Sequence, residues 1–165
     1  MQKLLLIGAC FLMLYGCKKK EGEQDDNEDE LVFFSFQDMP KEQEVDPDAN
    51  EILLNWKEYQ DFQSSLNVMY RAANNEDLAL AVEDLVEKEQ ALQSGGYPEV
   101  FHKPQIKSRQ RVFKTYLLKL KASIEDRTDV NEPMRQLLTA NNAWRNQFNV
   151  IISNKLDTKL ILDEN

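Results

Sequence analysis

Residues 104–124 read PQIKSRQRVFKTYLLKLKASI. Ile106, Phe113, Leu117, Leu120 and Ile124 recur there at spacings of three, four and seven, which on a helix of 3.6 residues per turn places them along one face. Polar and basic side chains dominate the rest of the stretch, and the alternation of a half-buried strand is missing. Pro104 suits a first helical turn, because its ring presets φ and that turn has no intrahelical use for its N–H. An amphipathic helix of this length has to bury its stripe on other helices, so the search moves to the flanks.

Three further helical segments answer it. Upstream, Leu78, Ala81, Leu85 and Leu92 form a stripe that Val82 and Val86 widen. Asn75 is the expected N-cap, Glu76 and Asp77 sit where acids complement the helix dipole, and Gly95-Gly96 provides the stop. Further upstream, Ile52, Tyr59, Leu66 and Ala73 recur every seven residues with Trp56, Phe62 and Met69 between them. That predicts one helix from about Asp48 or Asn50 to Asn74-Asn75. Downstream, Asp129 and Glu132 have the spacing of a capping box before Met134, Leu137, Trp144, Phe148, Ile151 and Ile152. Leu160, Ile161 and Leu162 indicate that the end of the chain packs as well. Short connections favour antiparallel neighbours, so the expected fold is all-α: an up-down-up-down four-helix bundle over residues 51–165.

The charge of the chain is unevenly placed. Of its 20 basic and 29 acidic residues, four and twelve fall between Lys18 and Asn50, against fifteen and seventeen from Glu51 onward. The bundle is thus nearly neutral, which disfavours nucleic acid as a partner. Within it, residues 76–89 hold six acids and one base, whereas residues 103–121 hold seven bases, Lys107, Arg111 and Lys114 among them, and no acid. These two helices suit each other as neighbours. Exposed ion pairs are worth only about 0–1 kcal/mol each, so charge helps to select their register while burial holds them together.

The N-terminus has its own logic. Lys3 precedes an apolar run from Leu4 to Tyr15, the profile of a secretory signal. The run is shorter than the roughly 20 apolar residues of a membrane-spanning helix. It ends at Leu14-Tyr15-Gly16-Cys17, in which Leu14, Gly16 and Cys17 resemble the lipobox of bacterial lipoproteins; Tyr15 departs from that pattern, being larger than the usual residue. The resemblance implies removal of residues 1–16 and lipidation of Cys17, and hence a membrane-held outer-membrane protein. Lys18-Lys19-Lys20 would lie beside anionic headgroups, each cation contributing about 1 kcal/mol. The acidic run from Glu21 to Glu30 resembles the export signal of Bacteroidota-type surface lipoproteins, which implies the cell-surface face in preference to the periplasmic one. Residues 17–50 are expected to form a flexible acidic tether. Within it, Leu31-Val32-Phe33-Phe34-Ser35-Phe36 is an apolar exception, expected to fold back onto the bundle or, in the competing reading, to add to a partner's sheet edge.

Catalytic chemistry is poorly supplied. Cys10 falls in the signal and Cys17 would carry lipid, which leaves the bundle without a thiol. The only histidine, His102, stands in the loop from Tyr97 to Pro104 with no specified oxyanion hole. No cysteine or histidine cluster points to a metal, and the paired Glu-x-x-His motif of di-iron bundles is absent. No cofactor is expected. Tyr97, Phe101 and His102, with Lys107, Arg111 and Lys114, form the candidate partner contact. Two structural readings compete: the aromatic loop as a lid on one end of the bundle, and the cations as partners of the acidic helix. The expected function is a non-enzymatic, lipid-anchored bundle that binds or braces another envelope component, expected to be a protein, with the long tether letting the domain search around its anchor; the alternative is a ligand- or metal-binding lipoprotein with its site between helices.

Overall fold

A computed structural model describes residues 34–163, with side chains to residue 155. The signal segment, Cys17, Lys18–Lys20, the acidic run and Leu31 to Phe33 lie outside the described residues, as do the side chains of Leu160, Ile161 and Leu162. Among the described residues the chain is all-helical, with five α-helices and no strand. They are α1 (Pro47–Leu54), α2 (Lys57–Met69), α3 (Asn75–Gly95), α4 (Pro104–Glu125) and α5 (Asn131–Asp163), with a single 3-10 turn at Glu99–Phe101 between α3 and α4. Consecutive helices pack on one another, α4 against α5 and α2 against α3 most extensively, with α3 against α4 closing the set.

Helix ends follow local chemistry. Asn74, one residue before the expected cap, accepts the Asp77 N–H at 2.8 Å and holds the first turn of α3. Gly96, at φ 93, turns the chain out of α3 through a backbone region that side chains disfavour. At Gly95 an added Cβ would meet Glu58 Cγ at 2.7 Å, so the end of α3 approaches α2 closely. Asp129 accepts the N–H groups of Asn131 at 3.2 Å and Glu132 at 3.5 Å. Hydrogen bonds from Asn131 hold the Asp129 carboxyl below its ordinary range.

The interior is aromatic. Trp144 of α5 lies among Tyr59 and Phe62 of α2, Phe113 of α4 and Phe148 one turn along its own helix, with ring centroids 5.4–6.2 Å apart. Phe101, in the 3-10 turn, closes one end of this layer against Phe148 at 4.7 Å. All six rings are essentially removed from water.

Two expectations need correction. The first expected helix is two. Asn55 and Trp56 donate to Ile52 O and Leu53 O at 3.2 Å, tightening the end of α1, and Trp56 adopts an extended conformation before α2 begins. The break turns the Trp56 indole inward, 4% exposed and stacked on Tyr59 at 5.7 Å. Ala73 falls beyond α2 and is exposed rather than part of a stripe.

The second correction concerns the tether, expected to reach residue 50. Chain packed on the bundle begins at Phe34 within the described residues, where the ring is 5% exposed, and Phe36, Met39 and Val45 pack against the same core. Residues 34–46 form a strap running parallel to α5. Asn142 accepts the Gln43 N–H at 2.8 Å and donates to Lys41 O at 2.7 Å. Asn149 repeats the pattern with Asp46 N–H at 2.9 Å and Glu44 O at 3.0 Å. The two asparagines are seven residues apart, about 10.5 Å along a helix, and their targets are three residues apart, about 10 Å of extended chain, so the spacings match. Arg135 donates to Asp38 O at 2.9 Å, and Arg145 donates to Gln43 O while meeting the Glu42 carboxylate at 3.1 Å.

Candidate functional site

The helix α3 carries its stripe on Leu78, Val82, Leu85 and Leu92, and the same three-and-four spacing includes Glu89, which is 1% exposed. On α4 the stripe Ile106, Phe113, Leu117 and Leu120 includes Gln110, also 1% exposed. Where these helices pack, a polar pair therefore occupies positions that would ordinarily hold apolar residues. Buried polar groups of this kind are tolerated only when hydrogen-bonded. Gln110 Nε2 donates to Glu89 Oε1 at 3.0 Å, and the Tyr97 hydroxyl donates to Gln110 Oε1. Lys114 Nζ lies 3.0 Å from Glu89 Oε2 and donates to Gln93 Oε1 at 2.7 Å. The Tyr97 and Gln110 donors form a relay that ends on the carboxylate.

Beside it, Lys107 lies over the Tyr97 ring, with Nζ 5.1 Å from the centroid, and 2.7 Å from His102 Nε2. A lysine ammonium has no lone pair, so His102 accepts through Nε2. Burial, together with the nearby Glu89 carboxylate, pushes the Tyr97 phenol up, while the Arg111 charge acts in the opposite sense. Glu89, Gln93, Tyr97, Lys107, Gln110 and Arg111 line a recess of about 240 Å³. A separate, more open recess of about 750 Å³ lies between the 3-10 turn, the start of α4 and the far part of α5, lined by Val100, Lys103, Gln105, Ile151 and Asn154 among others.

The structure thus gathers five of the six expected contact residues. Tyr97, His102, Lys107, Arg111 and Lys114 surround the Glu89–Gln110 pair, with His102 and Arg111 exposed on the rim. Phe101 is fully buried and has no surface to offer a partner; it belongs to the lid on the aromatic layer. The expected match between the acidic and basic helices is realised in the Lys114–Glu89 pair and in Lys121–Glu83 at 3.9 Å. Sequence reasoning missed Glu89 and Gln110, although a polar residue falling on the three-and-four spacing of a stripe is the signal that marks them.

Chemically the cluster joins α3 to α4 through buried polar contacts. Glu89 Oε1 accepts from Gln110, and Oε2 is met by the Lys114 charge, which compensates the buried carboxylate. Among the described residues, no three His, Cys, Asp or Glu side chains converge on a site that could hold a metal ion, and no helix is long and apolar enough to cross a membrane. Glu89→Ala is expected to cost about 1–3 kcal/mol in denaturant melts, because the Gln110 amide loses its acceptor. Glu89→Leu combined with Gln110→Leu should recover most of that loss, since replacing a buried polar set by well-packed apolar groups is commonly neutral or better. A double variant weaker than either single one would contradict this account.

Comparison with protein-family models, with curated proteins and with solved structures finds no match for the chain.

Proposed function

We propose that this chain is a non-enzymatic lipoprotein of the bacterial outer membrane, tethered through lipid on Cys17, whose bundle binds or braces another protein of the envelope. The observation that carries the reading is the order of segments at the N-terminus: Lys3, the apolar run Leu4 to Tyr15, Leu14-Tyr15-Gly16-Cys17, three lysines and an acidic stretch. A compact helical domain behind such a tether can search the volume around its anchor, which raises its effective concentration toward anything in the same membrane.

The finer topology belongs to the same proposal. Helices α2 to α5 run up, down, up and down, with α1 a short addition to the first; contacts between successive helices and short connections support this. The partner meets the exposed end of the polar cluster, at His102 and Arg111 with Lys107 beside them, and therefore presents acidic side chains. Lys114 is held by Glu89 and contributes indirectly. The recess of about 240 Å³ supports a second reading, in which a small polar ligand sits between α3 and α4; spectra and metal analysis of the purified protein distinguish the two.

The decisive experiment follows the anchor. Cells expressing the full chain are fed a labelled fatty acid, in parallel with cells expressing Cys17→Ser. Label in the wild type, none in the variant, and release of the variant from the membrane fraction are expected. An unlabelled wild type, or a variant held as firmly, overturns the assignment.

A further inference from the structure

The break between α1 and α2 contains no glycine or proline: Leu54, Asn55, Trp56, Lys57 and Glu58 are all residues that a helix accommodates. The seven-residue repeat of Ile52, Tyr59 and Leu66 runs straight through it. The closed arrangement is held by side chains, with Gln60 Nε2 donating to Leu53 O and Asn55 Nδ2 to Glu51 O, both at 2.9 Å. Straightening it would let the N–H groups of Lys57, Glu58 and Tyr59, the unpaired first amides of α2, bond to the carbonyls four residues earlier. A single helix from Pro47 to Met69 would then extend about 35 Å.

Such a helix would carry the strap and α1 away from their own α5. The clamps at Asn142, Asn149 and Arg145 hold main-chain N–H and C=O groups of the strap, and the strap of a second copy presents those same groups in the same order. The features that do read side chains, the Phe34 site and the Glu42–Arg145 pair, are also matched by an identical chain. From these observations we infer that the protein forms a dimer by exchanging residues 34–54 between two copies, with the segment around Asn55 and Trp56 as the hinge. Contacts of α1 and the strap are reproduced across the pair, and only the hinge differs between monomer and dimer. The inference stands apart from the lipid anchor, since it uses only contacts within the bundle.

Lys57 gives a selective test. It is the first residue of α2, its N–H enters no helical bond, and Trp56 before it is already extended, the conformation that a residue preceding proline prefers. Lys57→Pro thus fits the closed hinge and forbids the straight helix. Asn55→Ala acts in the other direction, by raising helix propensity and removing the bond to Glu51 O. Two full-length chains with different tags, one bearing Glu42→Cys and the other Arg145→Cys, are co-expressed, extracted in detergent and treated with a short bismaleimide. Covalent pairs of the two tags are expected well above the level from chains with the native cysteines alone. Asn55→Ala in both chains should raise the yield about threefold, and Lys57→Pro should lower it about a hundredfold or more, with the helical circular dichroism signal retained. Yield at background in both the parent and the Asn55→Ala pair overturns the exchange. Yield unaffected by Lys57→Pro, or loss of the fold in that variant, overturns the hinge.

Discussion

Replacing Trp144 with alanine is expected to destabilise the protein by about 3–5 kcal/mol, the range for removing a large buried ring. The indole is fully buried and is met by rings from α2, α4 and its own helix, so neighbours that pack on one another around it cannot easily move in to fill the space. Its Nε1 has no hydrogen-bond partner among the described residues, so the loss is one of packing rather than of a polar contact. Native domains typically hold about 5–15 kcal/mol in total, and a change of this size takes a large share of it. Urea melts of wild type and variant measure the difference directly. A change below about 1 kcal/mol would show that the layer collapses freely around the gap, contrary to the close packing expected of a core.

Alkaline pH should weaken the fold through Tyr59. Burial pushes its phenol from the ordinary value of 10.0 up to about 12, with the Arg145 charge pulling the other way. Below pH 10 both the folded and the unfolded forms keep the proton, and the contribution is fully present. As pH rises from 10 toward 12 the unfolded chain ionises first, so stability falls. Two units at about 1.4 kcal/mol each give a loss of about 2–3 kcal/mol. Tyr70 shifts in the same direction, also to about 12 and also through burial, but it is only partly covered and its share is reduced by solvent. Denaturant melts from pH 8 to 12 should show Tyr59→Phe losing clearly less stability than wild type. Parallel decline of the two proteins would place the cause elsewhere.

The helices most legible in the sequence were those whose ends carry their own chemistry. Pro104 opens α4 as read, Gly96 closes α3, and the acids after Asn74 begin it, because a cap is settled by a few neighbouring atoms. Stripe residues were legible too: Leu78, Leu85, Phe113, Leu117 and Trp144 are all buried. The break at Trp56 was not, since the periodicity is continuous across it and the indole is met by Tyr97, from the distant loop between α3 and α4, as well as by the neighbouring Tyr59. The strap was hidden for a different reason. Asn142 and Asn149 grip peptide groups, which every residue possesses, so the strap residues between Pro40 and Asp46 need no apolar pattern and look like ordinary acidic linker. In the candidate site the cations were visible as a charge run, but their focus was not. Glu89 was one acid among six, and only its place on the stripe separates it from Glu83 and Glu87.

Because the strap runs parallel to α5, its Phe34 end lies at the Asn131 end of that helix. A pull along the helix axis therefore strains the clamps together, whereas a pull outward opens them one by one, beginning at Phe34. The bundle is consequently stiff toward drag in one direction and yielding toward lift in another, a mechanical anisotropy set by the polarity of thirteen residues against a single helix.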